Sequence, residues 1–181
     1  MSAVSAAVTS PRPGWSLLLS LWGIGGVTLL LGSAIWRLAL IAVEPIADGA
    51  LGPGHWLALA LWVVFMAWAE GYRGFQTKFS PRTAARALHL GRHPTALRAI
   101  LGPLFCMGFF GATRKVTITA WAITTMVVCL ILLVGNLEQP WRGIVDAGVV
   151  VGLIWGLVSL LAFFLRGLAT GRLPVDPEVA G

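Results

Sequence analysis

Four apolar segments, separated by polar stretches, limit what this sequence can fold into. They lie near 16–36, 55–72, 116–136 and 144–165, and each is close to the roughly 20 residues that a membrane-spanning helix needs. Charged residues make up 11% of the 181 positions, against about 25% in ordinary soluble domains. Most of the surface must therefore face something other than water. The sequence predicts an all-α membrane protein with four transmembrane helices.

The two ends of the chain carry no such apolar segment. Residues 1–14 are mostly small and polar, and residues 169–181 follow the last apolar run, so we expect a disordered N-terminus and a flexible C-terminal tail. Residues 15–168 form the single membrane domain. The first apolar run continues to Val43, which is longer than the apolar core of a signal peptide, so we expect an uncleaved first helix.

Positive charge is concentrated in one region of the chain. Eight of the thirteen Lys and Arg residues lie between residues 73 and 115, and loops of this kind are retained on the cytoplasmic side of a membrane. The same topology puts Arg12, Arg166 and Arg172 on that side, so eleven of the thirteen cations share it. We therefore expect both termini in the cytoplasm and a location in the bacterial inner membrane. This topology explains the net charge of +6 without nucleic acid as a partner.

Within the basic region, residues 80–91 have the pattern of a short amphipathic helix. A Ser-Pro pair opens it, a glycine closes it, and Arg82, Arg86 and His89 recur on one face. Such a helix can lie on a membrane with its cations towards anionic headgroups; an acidic partner protein or a phosphate-bearing ligand is the alternative. The residues predicted to contact anionic lipid or a partner are Lys78, Arg82, Arg86, His89, Arg92, Arg98, Arg114 and Lys115.

The segment 97–112 is apolar but short, and Gly102-Pro103 interrupts it. Arg98 lies at its start and Arg114 just beyond its end, so both ends favour the same side of the membrane. A full span would place one of them on the wrong side. The sequence therefore predicts a re-entrant or interfacial segment.

Two ionisable residues fall inside predicted spans. Glu70 lies near the inner end of the second helix, and a charge at such depth often marks an ion or substrate path. Arg73, three residues later, offers a purely structural ion pair instead. Arg37, near the outer end of the first helix, has the same two interpretations, since it can pair with outer acids or extend to the interface. Those outer acids are Glu44, Asp48, Glu138 and Asp146.

A stripe of glycines marks the fourth helix. Gly148, Gly152 and Gly156 repeat at intervals of four residues, a pattern that allows close helix packing in membranes. Gly23 and Gly26 of the first helix offer a partner within the chain, and a helix of another chain is the alternative.

Enzyme signatures are missing from the sequence. It contains no P-loop, dinucleotide fingerprint or GxSxG elbow, so we expect no catalytic residue and no cofactor. His89 and His93 are four residues apart, but a glycine and a proline beside them disfavour a continuous helix, and no metal site is expected. The predicted function is a non-enzymatic accessory, assembly or scaffold subunit whose partners are anionic headgroups and a membrane protein or second copy. The alternative is a small oligomeric transporter or channel that uses Glu70 and the segment 97–112.

Overall fold

A computed structural model describes residues 13–180, which are mostly helical and contain no β-strand. In chain order the helices are α1 (Pro13–Ala47), α2 (Pro53–Met66), a π-helix (Ala67–Phe79), α3 (Ser80–Arg92), α4 (Ala96–Ile100), α5 (Gly102–Met107), α6 (Arg114–Val134) and α7 (Trp141–Thr170). The predicted all-α class is confirmed. Residues 1–12, which include most of the N-terminus predicted to be disordered, lie outside the described part.

Three of these helices are long and apolar enough to cross a membrane, namely α1, α6 and α7. They indicate an integral membrane protein. The count of four spans is not confirmed, because the predicted second span contributes only the 14 residues of α2 to regular α-helix.

The helix that begins in the second apolar segment continues far beyond its predicted end at Tyr72. α2, the π-helix and α3 follow one another without a break and form what we call the long helix, Pro53–Arg92. Ser80 does not cap a helix start as predicted; it has helical φ and ψ of −61° and −47°. Its hydroxyl is buried and donates to the carbonyl of Gly156 in α7 at 3.1 Å. A tertiary hydrogen bond thus satisfies the group that the sequence assigned to a cap.

The long helix, α1 and α7 form a three-helix bundle in which α1 runs antiparallel to the other two. At one end, Gly143 of α7 packs against Pro45 of α1. At the other end, Gly91 of α3 packs against the backbone of Ser16 in α1, so closely that any side chain at 91 would clash. We call this second end the basic end. Between the ends lies an apolar core built from Ile24, Val27, Leu31, Ala84, Ala87, Leu88, Leu90, Phe105, Leu153, Leu160 and Phe164.

The segment 97–112 forms two helices of five and six residues, α4 and α5, neither of which could cross a membrane. α5 packs against α1 and α3, and its Phe105 and Cys106 are buried. Gly108 and Gly111 follow α5 with φ of +90° and +59°, values that favour glycine and let the chain turn back.

α6 is set apart from the bundle. Among its residues only Val116 is buried, and no other helix within residues 13–180 packs along its length. Its first turns are held by an edge-to-face contact between Phe109 and Trp121, whose ring centroids are 5.1 Å apart. Beyond these turns, apolar side chains such as Ile131 and Leu132 are exposed on all sides.

The C-terminal tail, expected to be flexible, is bound to the loop before α6. The amide of Thr113 donates to the carbonyl of Glu178 at 2.9 Å, and the amide of Ala180 donates to Gly111 at 3.3 Å. Ala112 and Val179 form an isolated antiparallel bridge. Backbone groups of the loop that no helix satisfies form hydrogen bonds with the tail. The sequence of the tail itself does not predict this contact.

Candidate functional site

Arg86 does not lie on the exposed basic face predicted for residues 80–91. Its exposed fraction is 1%, because α1, α5, α7 and the C-terminal tail cover α3. The prediction that Arg86 contacts lipid headgroups is therefore corrected. Periodicity places Arg82, Arg86 and His89 on one face of the helix. The elements that pack against this face determine which of the three side chains remains exposed.

The Arg86 guanidinium joins four parts of the chain. Nε donates to the carbonyl of Phe105 at 2.7 Å, Nη1 to Pro177 at 3.0 Å, and Nη2 to Phe110 at 3.0 Å. Its central carbon lies 4.2 Å from the centre of the Phe105 ring, a cation–π contact. Burial lowers the pKa of Arg86 to about 10, so the group stays charged at neutral pH. All three nitrogens are engaged with backbone, so this charge organises the fold and has little capacity left for a ligand.

The other cations of the predicted contact set form two groups, and Arg92 belongs to both. Arg82 pairs with Glu178 at 3.5 Å, Arg92 donates to the carbonyl of Gly171 at 2.6 Å, and Arg98 stacks over Phe105 at 5.2 Å. Arg82 and Arg92 thus tie the residues that follow α7 to α3, and Arg98 ties α4 to α5. The exposed cations, whose heads are accessible to a membrane or a partner, are Lys78, Arg92, Arg114 and Lys115.

His89 adds no positive charge to this end of the bundle at neutral pH. Burial, together with the neighbouring His93 and Arg98, lowers its pKa to about 4. The rings of His89 and His93 are 4.8 Å apart. Within residues 13–180, no three His, Cys, Asp or Glu side chains are grouped so as to hold a metal ion.

Glu70 lies on the π-helix and faces α7. A Cβ placed on Gly152 would lie 3.0 Å from its Oε2 atom. The pair with Arg73 that the spacing suggested is not formed, since Arg73 stacks over the ring of Trp68 at 5.0 Å. Among the described residues, the ion pairs are Arg82–Glu178 and Arg142–Asp146, so neither Glu70 nor Arg37 has a counter-charge within 4.0 Å.

The π-helix around Glu70 is itself unusual. Helices of this type are rare and are found mostly as single turns at functional sites. Here the wide helix spans 13 residues and is held against α7 by the Trp155 indole, which donates to Gln76 at 2.6 Å. Gly71 allows the contact, since a Cβ there would lie 2.9 Å from the Trp155 ring. The arrangement positions a lone carboxyl between two fixed helices.

The glycine stripe of α7 packs against the long helix and not against α1. Gly148 faces Trp62 and Met66, Gly152 faces Glu70, and Gly156 faces Phe75. Trp62 also donates from Nε1 to the carbonyl of Val145 at 3.1 Å. Each glycine thus receives at least one large side chain, and the stripe is occupied within the chain. Gly23 and Gly26, the partners suggested from the sequence, instead face Cys106 and Pro103 near α5.

Sequence reasoning missed Phe105 and the tail as partners of Arg86. No local pattern relates residue 86 to residue 105 or 177, because the contacts arise only when α5 and the tail fold back onto α3. The nearest signal is the Gly-Pro pair before Phe105, which predicts a break in the apolar segment but not the direction of the return.

No family model matches this chain, and no curated protein or solved structure is significantly similar to it.

Proposed function

We propose that the chain is a non-enzymatic accessory, assembly or scaffold subunit that binds another membrane protein through α6. The observation that carries the proposal is the isolation of α6, an apolar helix of 21 residues in which only Val116 is buried. Helices in a membrane associate through van der Waals packing and polar contacts. Along most of its length this apolar span has no neighbour among the residues that the structure describes, so it offers a packing surface to a helix of another chain.

The glycine stripe does not serve this purpose. Because Gly148, Gly152 and Gly156 receive side chains of the long helix, the close-packing surface of α7 is already used. This moves the proposed contact from α7, where the sequence suggested it, to α6.

We also propose that α2 and the π-helix together form a fourth span. The exposed side chains of α2 include Trp56, Leu57, Leu61 and Phe65, which suit a lipid-facing surface. With this span, the basic end faces the cytoplasm of a bacterial inner membrane, and both termini lie there. Four exposed cations, Lys78, Arg92, Arg114 and Lys115, would then meet anionic headgroups, each contributing about 1 kcal/mol near the surface.

Reporter fusions check this topology. Fusions after Gly91 and after Lys115 are expected to report the cytoplasmic side, and a fusion after Gly135 the opposite side. If the reporters at Gly91 and Lys115 lie on opposite sides, the segment 97–112 crosses the membrane and the four-span topology is wrong.

Photo-crosslinking in native membranes tests the assembly role. A photoreactive residue is placed in turn at each position from 127 to 133 of α6, and at Leu29 of α1 as the control, where the side chain is 74% exposed. We expect one protein to be captured at α6 positions three or four residues apart, and only lipid at Leu29. Capture of lipid alone along α6 would refute the proposal. Capture of only a second copy of this chain would favour a homo-oligomer and count against a scaffold.

Glu70 favours the alternative, a small oligomeric transporter or channel. Its carboxyl has no counter-charge within 4.0 Å among residues 13–180 and lies on a rare π-helix. The segment 97–112 supports this function less, because Phe105 and Cys106 are buried against α1 and α3. Flux measurements in vesicles with Glu70→Gln, and with Asp48→Asn as the matched control, separate the two functions. A transporter loses flux only in the first variant; an assembly subunit shows no flux that depends on Glu70.

A further inference from the structure

A groove runs along the exposed side of α7 towards the basic end. It consists of two adjoining clefts of about 560 and 510 Å³, which share Phe163 and Arg166. Each is within the range of about 300–1,000 Å³ that is usual for small-molecule sites. The larger cleft is lined mainly by apolar side chains of α7, including Ile154, Val158 and Ala162. Because α7 is a candidate span, this part of the groove would face lipid chains.

Trp155 forms a fixed wall of the apolar cleft. Its indole donates to Gln76 at 2.6 Å and its ring packs against Gly71 of the long helix. A wall held by a hydrogen bond and by close packing loses little conformational freedom when a ligand binds.

The second cleft is basic. Arg166 lies where the two clefts meet, and Arg172 lines the second cleft with Thr170. Gly171 ends α7 with a φ of +67°, and this turn brings the backbone of Arg172 back over Gly167. Arg92 fixes the turn by donating to the carbonyl of Gly171. Within residues 13–180, neither Arg166 nor Arg172 belongs to an ion pair.

We propose that this groove is a binding site for one anionic phospholipid, with the phosphate between Arg166 and Arg172 and an acyl chain along Val158 and Ala162. The combination of an apolar channel and two arginines without acidic partners matches an amphipathic anion, and guanidinium groups bind phosphate through paired hydrogen bonds. Basic pockets beside transmembrane helices bind anionic headgroups in the same way. The site does not depend on the assembly role of α6, which lies on another helix.

Native mass spectrometry of the full chain in an uncharged detergent tests the proposal. Phosphatidylglycerol is titrated against phosphatidylcholine with the same acyl chains. We expect one tightly bound phosphatidylglycerol per chain. The double variant Arg166→Gln/Arg172→Gln should weaken this binding roughly 30-fold, on the order of fivefold for each cation. The variant Arg37→Gln, which removes an exposed charge on α1 outside the groove, should leave the binding unchanged.

A second pair of variants tests the apolar part. Ala162→Trp fills the groove and should weaken the binding of phosphatidylglycerol at least tenfold, whereas Leu165→Trp, on the exposed surface of α7 outside the groove, should not. Both positions are exposed, so neither change disturbs the core. This comparison keeps the test valid if the double arginine variant fails to fold.

Four results would overturn the proposal. Equal affinity for the two lipids would remove the role of the headgroup charge, and unchanged binding in the double variant would remove the arginines. Competition by glycerol phosphate at the same concentrations as the lipid would mean that the site binds a free phosphate ester. Loss of a co-purified protein in Ala162→Trp, with lipid binding intact, would mean that a partner helix occupies the groove.

Discussion

Replacing Arg86 by methionine is expected to lower the free energy of unfolding by about 3–5 kcal/mol. The variant removes three charge-assisted hydrogen bonds of 2.7–3.0 Å, each worth about 1.5–3 kcal/mol. It also removes the contact with the Phe105 ring. Burying a charged guanidinium has a desolvation cost, and methionine fills much of the same space without that cost. This difference offsets part of the lost stability. The net effect stays large because three backbone carbonyls lose their donor.

Unfolding in mixed micelles, followed by circular dichroism, measures this loss. Limited digestion by a carboxypeptidase adds a local measurement, because Arg86 holds the tail through the carbonyl of Pro177. We expect the tail of Arg86→Met to be digested at least tenfold faster than that of the unmodified chain. Arg86→Lys should recover only part of the stability, since a single ammonium cannot reach carbonyls on three sides.

Arg82→Met is the matched control for this prediction. Arg82 lies one turn earlier and its side chain remains 32% exposed, with an ion pair to Glu178 at 3.5 Å. An exposed pair of this kind contributes about 1 kcal/mol or less. If Arg86→Met costs no more than Arg82→Met, the guanidinium does not organise this end of the bundle and the reasoning from its buried hydrogen bonds is wrong.

Three further predictions concern packing, pH and thiol access. Gly152→Leu should lower the free energy of unfolding by about 1–3 kcal/mol through overpacking against the long helix, whereas Gly25→Leu, with no atom within 4 Å of its Cβ position, should not. The pKa of His89 is about 4 in the folded protein, so as the pH decreases the unfolded chain takes up a proton before the folded chain does. The free energy of unfolding should therefore fall as the pH decreases from about 6.5 to 4. His89→Gln should flatten this slope, as measured by unfolding midpoints across that range. N-ethylmaleimide should modify Cys106 far more slowly in the folded protein than in the denatured protein, because Cys106 is buried and its pKa is raised to about 12; equal rates in the two states, by mass analysis, would contradict the fold around α5.

Local patterns were sufficient to predict the three long apolar helices. Long apolar runs predicted α6 and α7 to within five residues, because a continuous hydrophobic helix is recognisable from composition alone. They also predicted the start of α1 to within three residues, but α1 continues 11 residues beyond its predicted end at 36. The interruption at Gly102-Pro103 likewise predicted a break in the segment 97–112, which forms α4 and α5. These are properties of neighbouring residues, and no distant contact is needed to read them.

The burial, pairing and charge state of the basic residues could not be predicted in this way. Arg82, Arg86 and His89 lie on one face of α3 by periodicity, yet one pairs with the tail, one is buried, and one is uncharged at neutral pH. Which face of a helix is covered depends on the elements that pack against it. Which elements pack against a given helix depends in turn on the order and direction of helices along the whole chain.

The sequence by itself determined that this is an all-helical chain with long apolar helices, a concentration of cations and one carboxyl, Glu70, within an apolar segment. The tertiary structure alone decided that α3 is buried, that the glycine stripe of α7 receives Trp62, Glu70 and Phe75, and that α6, beyond its first turns, packs against no helix within residues 13–180. The physical reason is that hydrophobicity and charge are properties of single residues and short windows. Burial and close contact instead depend on segments that the chain brings together from far apart.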